Sequence, residues 1–339
     1  MSRTNRQWVL AKRPSGMVKE SDFRWQEVPV PAVPDGHLLV RNLWLSFDPT
    51  QRGWMEDRPS YMPPVQIGEP MRAGAIGQVI ESKDPSRKPG ELVQGLFGWQ
   101  DYAVAPSAML ARVPDGVEPT HLLGVLGITG LTAYFGLLDL GQPKAGDVVV
   151  VSGAAGATGS VAGQIAKLHG CHVVGIAGGP EKCAWLLREA HFDAAIDYKS
   201  ENVSKRLGEL CPKGIDVVFE NVGGEILEAS LDHIAVRARV VLCGGISSYN
   251  EVEPRGIRNY MRLTIQRARM EGFIVTDYVP RFAEAVKQLA GWVADGRVVH
   301  QEDVQHGLEN APKTLLRLFE GRNLGKQILE IAKPPLPRA

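Results

Sequence analysis

Hydrophobic and polar positions give this chain two textures. Up to about residue 125 the apolar runs are short, Leu38–Val40 and Ile76–Glu81 among them, and turn signals such as Pro34-Asp35-Gly36 and Lys88-Pro89-Gly90 separate them. Short strands punctuated by proline and glycine predict an irregular β barrel or sandwich. From about Leu122 apolar runs alternate with helical periodicity, the pattern of βαβ units on a parallel sheet. Val148–Val151 is an unbroken β-branched run, as a strand covered on both faces requires. Val161, Ile165 and Leu168 then mark one helix face. Val173–Ala177 predicts the next strand and Glu181–Ala190 the next helix. Asp216–Phe219 and Arg239–Cys243 predict two more strands with a helix over Glu225–Ile234 between them, and Gly272–Val275 predicts another. Phe282, Val286, Leu289 and Val293 recur at helical spacing. From Gln305 the texture mixes again, and the proline-rich end is expected to fray.

The length of 339 residues supports two domains, each with its own core. Lysine plus arginine and aspartate plus glutamate both total 38, so no net field favours nucleic acid or an anionic membrane surface. An apolar content of 44% argues against disorder. No apolar run approaches the ~20 residues that span a bilayer. The polar start, Met1–Gln7, lacks the apolar core of a secretory signal, and the expected setting is cytoplasmic. Cys171, Cys183, Cys211 and Cys243 form no CxxC pair, so they are read as buried or half-buried thiols rather than disulfides or metal ligands.

The strongest chemical signal follows Val148–Val151: Ser152-Gly153-Ala154-Ala155-Gly156-Ala157-Thr158-Gly159, and then the amphipathic helix. Small residues throughout allow a tight turn and a close backbone approach to a pyrophosphate at a helix N-terminus. The spacing is GxxGxxG rather than GxGxxG, and the strand before and helix after carry the inference. About 20 residues further on, a NAD-binding unit places an acid on the ribose 2′-hydroxyl. Here that segment reads Gly175-Ile176-Ala177-Gly178-Gly179-Pro180-Glu181-Lys182, with no acid at the strand tip and Lys182 opening a helix. This favours a 2′-phosphate, hence NADPH.

The segments Leu123–Leu138, Gly153–Gly159, Phe219-Glu220-Asn221-Val222-Gly223-Gly224, Gly245–Asn250 and Asn323-Leu324-Gly325-Lys326 resemble the zinc-independent branch of the medium-chain dehydrogenase/reductase superfamily. Within it the chain is most similar to the leukotriene B4 12-hydroxydehydrogenase/prostaglandin reductase group, which includes alkenal double-bond reductases and curcumin reductases. The likeness covers nearly the whole chain. It implies an α/β protein: a GroES-like β-rich substrate domain (1–125), a Rossmann doubly wound parallel-sheet domain for NADPH/NADP+ (126–304), and a return segment (305–339). It also implies a homodimer. By resemblance, Gly156, Ala157, Thr158 and Gly159 meet the pyrophosphate, and Lys182 and Tyr198 hold the 2′-phosphate. Asn221, the turn of Cys243, Gly244, Gly245, Ile246, Ser247, Ser248 and Tyr249, together with Phe273, Ile274 and Val275, line the ribose and nicotinamide, and Asn323 reaches back from the return segment. Where relatives often carry a serine before the Glu-Lys pair, this chain has Gly179-Pro180, which predicts a weaker preference for NADPH.

Zinc-dependent relatives need a cysteine or histidine near position 46 and a Gly-His-Glu segment downstream. This chain has Ser46-Phe47-Asp48-Pro49 and Gly68-Glu69-Pro70 there, and no cysteine before Cys171. Without a Lewis acid, the accessible chemistry is hydride addition to a carbon already polarised, the β-carbon of an α,β-unsaturated ketone or aldehyde. The enolate then needs an O–H or N–H donor and a proton. Tyr249, Tyr260 and Tyr61 are the candidate hydroxyls. Alignment on Arg269-Met270-Glu271-Gly272-Phe273 places Ile265 where relatives carry a catalytic tyrosine, with Tyr260 more than a helical turn earlier. Two other readings share the scaffold: a non-catalytic NADPH-binding sensor, and NADP-dependent oxidation of a secondary hydroxy-lipid. The partner expected is a small enone or enal, with no nucleic acid and no membrane.

Overall fold

The computed structural model describes residues 3–339. It contains two compact units: Met1–Leu123 with Asp303–Asn323 and Gln327–Ala339, and Gly124–Glu302 with Leu324–Lys326.

In the first unit β1 (Thr4–Leu10) pairs antiparallel with β2 (Phe23–Pro29), setting Trp8 edge-on to Trp25 with ring centroids 5.4 Å apart. Five strands follow: β3 (His37–Ser46), β4 (Gly74–Ser82), β5 (Leu92–Leu96), β6 (Tyr102–Pro106) and β7 (Ala111–Arg112). Their apolar positions converge on Trp99, which has no exposed surface and packs on Phe23 and Phe47 at centroid distances of 4.9 and 5.2 Å.

The second unit is a parallel sheet of β8 (Val148–Ser152), β9 (His172–Ala177), β10 (Ala194–Asp197), β11 (Ile215–Glu220), β12 (Ile234–Leu242) and β13 (Arg269–Gly272). Its spatial order is β10-β9-β8-β11-β12-β13. This is the doubly wound order, in which the direction of winding reverses between β8 and β11 and ligands gather at the carboxyl ends of those strands. Val149, Val150 and Val151 have no exposed surface, and burial of each side chain contributes about 2 kcal/mol. The helices are α1 (Ile128–Phe135), α2 (Ala157–Leu168), α3 (Pro180–Arg188), α4 (Val203–Leu210), α5 (Gly224–Asp232), α6 (Met261–Gln266) and α7 (Phe282–Ala294). After α1 the chain continues in a π-helical turn, Gly136–Gly141. Beyond α7 it returns through β14 (Glu302–His306), α8 (Ala311–Phe319) and β15 (Lys326–Glu330). The first unit's seven-stranded sheet then runs β14-β15-β3-β4-β5-β7, with β6 on β3.

Several elements differ from the sequence expectation. β10 and α4 were not foreseen. Ala194-Ala195 carries no β-branched signal, and pairing with β9, Ala194 against Val174 and Asp197 against Ala177, makes it a strand. Ile234, expected in a helix, opens β12. The strand expected over Gly272–Val275 lies earlier, at Arg269–Gly272: its polar sequence suits an edge strand with one neighbour, and Val275 begins a 3-10 turn. The proline-rich end is not frayed. Leu336 N–H donates to Gln78 Oε1 (2.9 Å), Gln78 Nε2 donates to Leu336 O (2.8 Å), and Ala339 N–H reaches Gly90 O. No helix among the described residues is long and apolar enough to cross a membrane.

Candidate functional site

The glycine loop leaves β8 at Ser152 and enters α2, whose N-cap is Gly156 with no side-chain cap bond. The helix therefore presents its first-turn N–H groups, carried by Ala157, Thr158 and Gly159, without a side chain competing for them. Gly159 is required by packing, since a Cβ there would lie 2.5 Å from Gly153 O, a backbone atom that cannot move aside. Gly325 N–H donates to Ala155 O at 2.8 Å, and a parallel bridge links Gly156 to Gly325. The segment Leu324–Lys326 thus belongs to the wall of the loop in the second unit. Asn323, just before it, is half-buried.

At the carboxyl end of β9 the chain turns through Gly178 and Gly179 into α3. Gly179 has φ 101°, a conformation glycine adopts freely, and its N–H donates to Asp197 Oδ1 at 2.7 Å. Asp197 also accepts from Lys199 N–H and Ser200 Oγ. These bonds, Gly179's first, hold its carboxyl below the ordinary value. The exposed ring of Tyr198 lies over Gly178, where a Cβ would meet its ring carbons and hydroxyl at 2.8 Å. Lys182 is half-buried in the first turn of α3. Tyr198 and Lys182 therefore share the corner at the ends of β9 and β10.

The crevice beside β8 is built from β11 and β12. Asn221 N–H donates to Ser152 Oγ (2.8 Å) and Asn221 Nδ2 to Ser152 O (2.7 Å), so its amide nitrogen ties two strand ends together. The turn after β12 is bonded to the same place. Cys243 and Gly244 N–H groups donate to Glu220 O, Ile246 N–H to Asn221 O, and Ser247 N–H and Oγ to Val222 O. Ser248 Oγ donates to Gly245 O. Burial pushes the half-buried Cys243 thiol up to about 12. All four cysteines are free, and burial lifts the other three thiols to about 11. Phe273 packs on Gly136, where a Cβ would come within 2.5 Å of its ring, with Ile274 and Val275 half-buried beside it.

The three tyrosines sit in different surroundings. Tyr249 folds back over its own turn, and its hydroxyl accepts Gly245 N–H at 3.2 Å. Tyr260 precedes α6 and is 58% exposed. Tyr61, in the first unit and 48% exposed, accepts Trp54 Nε1–H at 3.1 Å and bonds Thr50 Oγ1. At the positions where zinc-dependent relatives have ligands, Ser46 Oγ donates to Asp48 Oδ2 (2.5 Å) and Glu69 accepts Gln66 N–H (3.0 Å).

Sequence reasoning passed over one group: the side chain of Glu220, wholly buried at the end of β11. It stands inside the quoted string Phe219–Gly224, but only its neighbours there had been given roles.

Comparison with known proteins follows the same lines. A family model described as the N-terminal domain of oxidoreductase matches residues 6–113, and one described as zinc-binding dehydrogenase matches residues 157–291. The NADPH-dependent curcumin reductase of Escherichia coli is 42% identical over 97% of each chain. The NADP+-dependent 2-alkenal reductase of Nicotiana tabacum is 40% identical over 97% of this chain and 98% of its own. The crystal structure of CurA from Vibrio vulnificus in complex with NADPH superposes with a TM-score of 0.92 at 41% identity, covering 97% of this chain and all of that one.

Proposed function

The chain belongs to the medium-chain dehydrogenase/reductase family, within its NADPH-dependent curcumin, alkenal and prostaglandin reductase group, and we propose that it reduces the C=C bond of an α,β-unsaturated ketone or aldehyde without zinc. It is an NADP-dependent oxidoreductase. The observation that carries the finer reading is its full-length likeness to reductases of that chemistry, joined to a glycine cradle whose shape a single Cβ at Gly159 would destroy.

The residues present fit the cofactor. The uncapped start of α2 at Gly156–Gly159 suits a pyrophosphate, and the Tyr198–Lys182 corner suits a 2′-phosphate. Asn221, the Cys243–Tyr249 turn and Phe273–Val275 would flank the ribose and nicotinamide. When bound, NADPH supplies the hydride that adds to the β-carbon. The chain's own task is then to hydrogen-bond the enolate oxygen and supply a proton to the α-carbon. We assign that task to Tyr260, whose exposed ring leads α6. Tyr249 braces its own turn. The zinc-free part of the reading is supported by Ser46 and Glu69, residues that hold hydrogen bonds at the positions where zinc-dependent relatives carry ligands. The same reading makes the protein a cytoplasmic homodimer, which fractionation and light scattering test.

The test is NADPH consumption with a medium-chain 2-alkenal, a cyclic enone and a dienone, with NADH and a chelator alongside. Enone-dependent loss of NADPH, slower with NADH and indifferent to chelator, is expected. Inhibition by chelator would overturn the zinc-free part, and NADP+ reduction by a hydroxy-lipid with no enone turnover would overturn the substrate class. Within the assay, Tyr260→Phe lowers kcat about 100-fold. Tyr249→Phe chiefly weakens NADPH binding, and equal kcat losses in the two variants would reverse the assignment.

A further inference from the structure

Glu220 ends β11 with its side chain wholly buried, and one of its oxygens collects three donors. Ser152 Oγ–H donates to Oε1 at 2.7 Å, Val222 N–H at 2.6 Å and Gly223 N–H at 2.7 Å. Each donor belongs to a segment of the candidate cofactor site. Ser152 is the last residue of β8 before the glycine loop. Val222 and Gly223 form the turn into α5, and Val222 O in turn receives Ser247 from the Cys243–Tyr249 turn. The backbone carbonyl of Glu220 receives Cys243 and Gly244. Three loops that leave neighbouring strands are therefore referenced to one residue. Gly223 (φ 78°) and Gly224 (φ 55°) let the middle loop double back over Ser247, whose Oγ would lie 3.4 and 3.1 Å from a Cβ at those positions.

The second carboxyl oxygen, Oε2, is buried with no hydrogen-bond partner. An ionised carboxylate would leave charge there with no donor to receive it, a costly arrangement in a buried site. Burial outweighs the bonds from Ser152, Gly223 and Val222 and raises the carboxyl's affinity for its proton. A neutral acid keeps Oε1 as the acceptor that all three donors need.

We propose that Glu220 is a positioning residue for the dinucleotide, its Oε1 setting the spacing of the glycine loop after β8 and the turn after β11, two of the loops that hold NADPH; this rests on the placement of the cofactor proposed above. It touches no reacting atom, so its removal should raise Kd and KM for NADPH more than it lowers kcat.

The experiment is a titration of NADPH fluorescence, which needs no enone, beside melting temperature and enone kinetics. A native protein that binds NADPH but reduces no enone would sink the proposed function and leave this test intact. Glu220→Leu keeps the bulk and strands three buried donors, so Kd for NADPH should rise about 10-fold or more. Glu220→Gln keeps an acceptor oxygen with no charge and should remain within about 3-fold of native. Ser152→Ala removes one donor to Glu220 and the acceptor of Asn221 N–H, so it should lower the melting temperature and weaken NADPH binding about 3-fold to 10-fold. Native affinity in Glu220→Leu, or a loss in Glu220→Gln as large as in Glu220→Leu, overturns the proposal. If Glu220→Leu does not fold, the other two variants decide: a Ser152→Ala protein that melts lower yet binds NADPH normally would show that the network is structural only.

Discussion

In the first unit the carboxyl of Asp101, 3% exposed, lies between two arginines, whereas in the second the carboxyl of Glu220 meets only a hydroxyl and backbone N–H groups. Arg6 Nε reaches Asp101 Oδ2 at 2.6 Å and Arg41 Nη1 reaches Oδ1 at 2.5 Å, while Arg41 also stacks over Tyr102. Burial alone would raise the Asp101 carboxyl, but Arg6 and Arg41 outweigh it and hold the group below its ordinary value. Glu220 has no such cation and is raised. The lesson concerns what each region must do. The β-rich unit locks a charge between β1 and β3, where two arginines compensate it. A crevice that receives a polyanion gains nothing from a fixed negative charge at its base, and a neutral acceptor orders the loops without opposing the phosphates.

The largest expected effect comes from breaking the charged anchor. Asp101→Ala leaves the half-buried Arg41 without its carboxylate and should cost about 3 kcal/mol, Arg6 contributing less because its side chain is 41% exposed. Chemical denaturation should show the loss, with NADPH affinity unchanged; a matching loss of affinity would mean that the two regions are not independent. Next, Lys182→Ala should raise KM for NADPH about 10-fold while KM for NADH stays put, since only the former carries the 2′-phosphate. Equal changes for both would remove Lys182 from the phosphate corner.

The smallest effect sharpens the comparison through pH. The lowered Asp101 contributes stability that is present above its unfolded value near 3.8 and is lost as pH falls through the lower folded value. Glu220 does the reverse: its contribution is complete below the unfolded value of 4.5 and is lost as pH rises through the raised folded value. Asp101→Asn should therefore flatten the acid limb of the stability curve. Glu220→Gln should gain stability relative to the native protein as pH rises above 4.5. Parallel melting curves for Glu220→Gln and native protein across that range would contradict the neutral-acid account.

Legibility followed the strength of local signals. Val148–Val151, Val173–Ala177 and Asp216–Phe219 announced their strands because β-branched runs are rare outside buried sheets. Ala194–Asp197 and Arg269–Gly272 did not, since an alanine pair and a polar tetrapeptide become strands only when a neighbour offers its hydrogen bonds. The proline-rich end looked free because nothing local says that Gln78, more than 250 residues away, will bond it. Glycines marked the loop around Gly156, yet the need for Gly325 arises from Gln301 O, which a Cβ there would meet at 2.0 Å.

The amino-acid sequence by itself determined the class of the protein: a parallel nucleotide-binding sheet with a glycine loop at its first strand, joined to a β-rich unit, in a family of NADPH-dependent reductases. These are local or repeated features, and local energetics suffices to specify them. Only the tertiary structure decided that Asp101 faces two arginines and Glu220 none, or that one buried oxygen would collect donors from β8 and from the turn after β11. A carboxyl's charge depends on what the fold brings within a few ångströms of it, and no spacing along the chain encodes that distance.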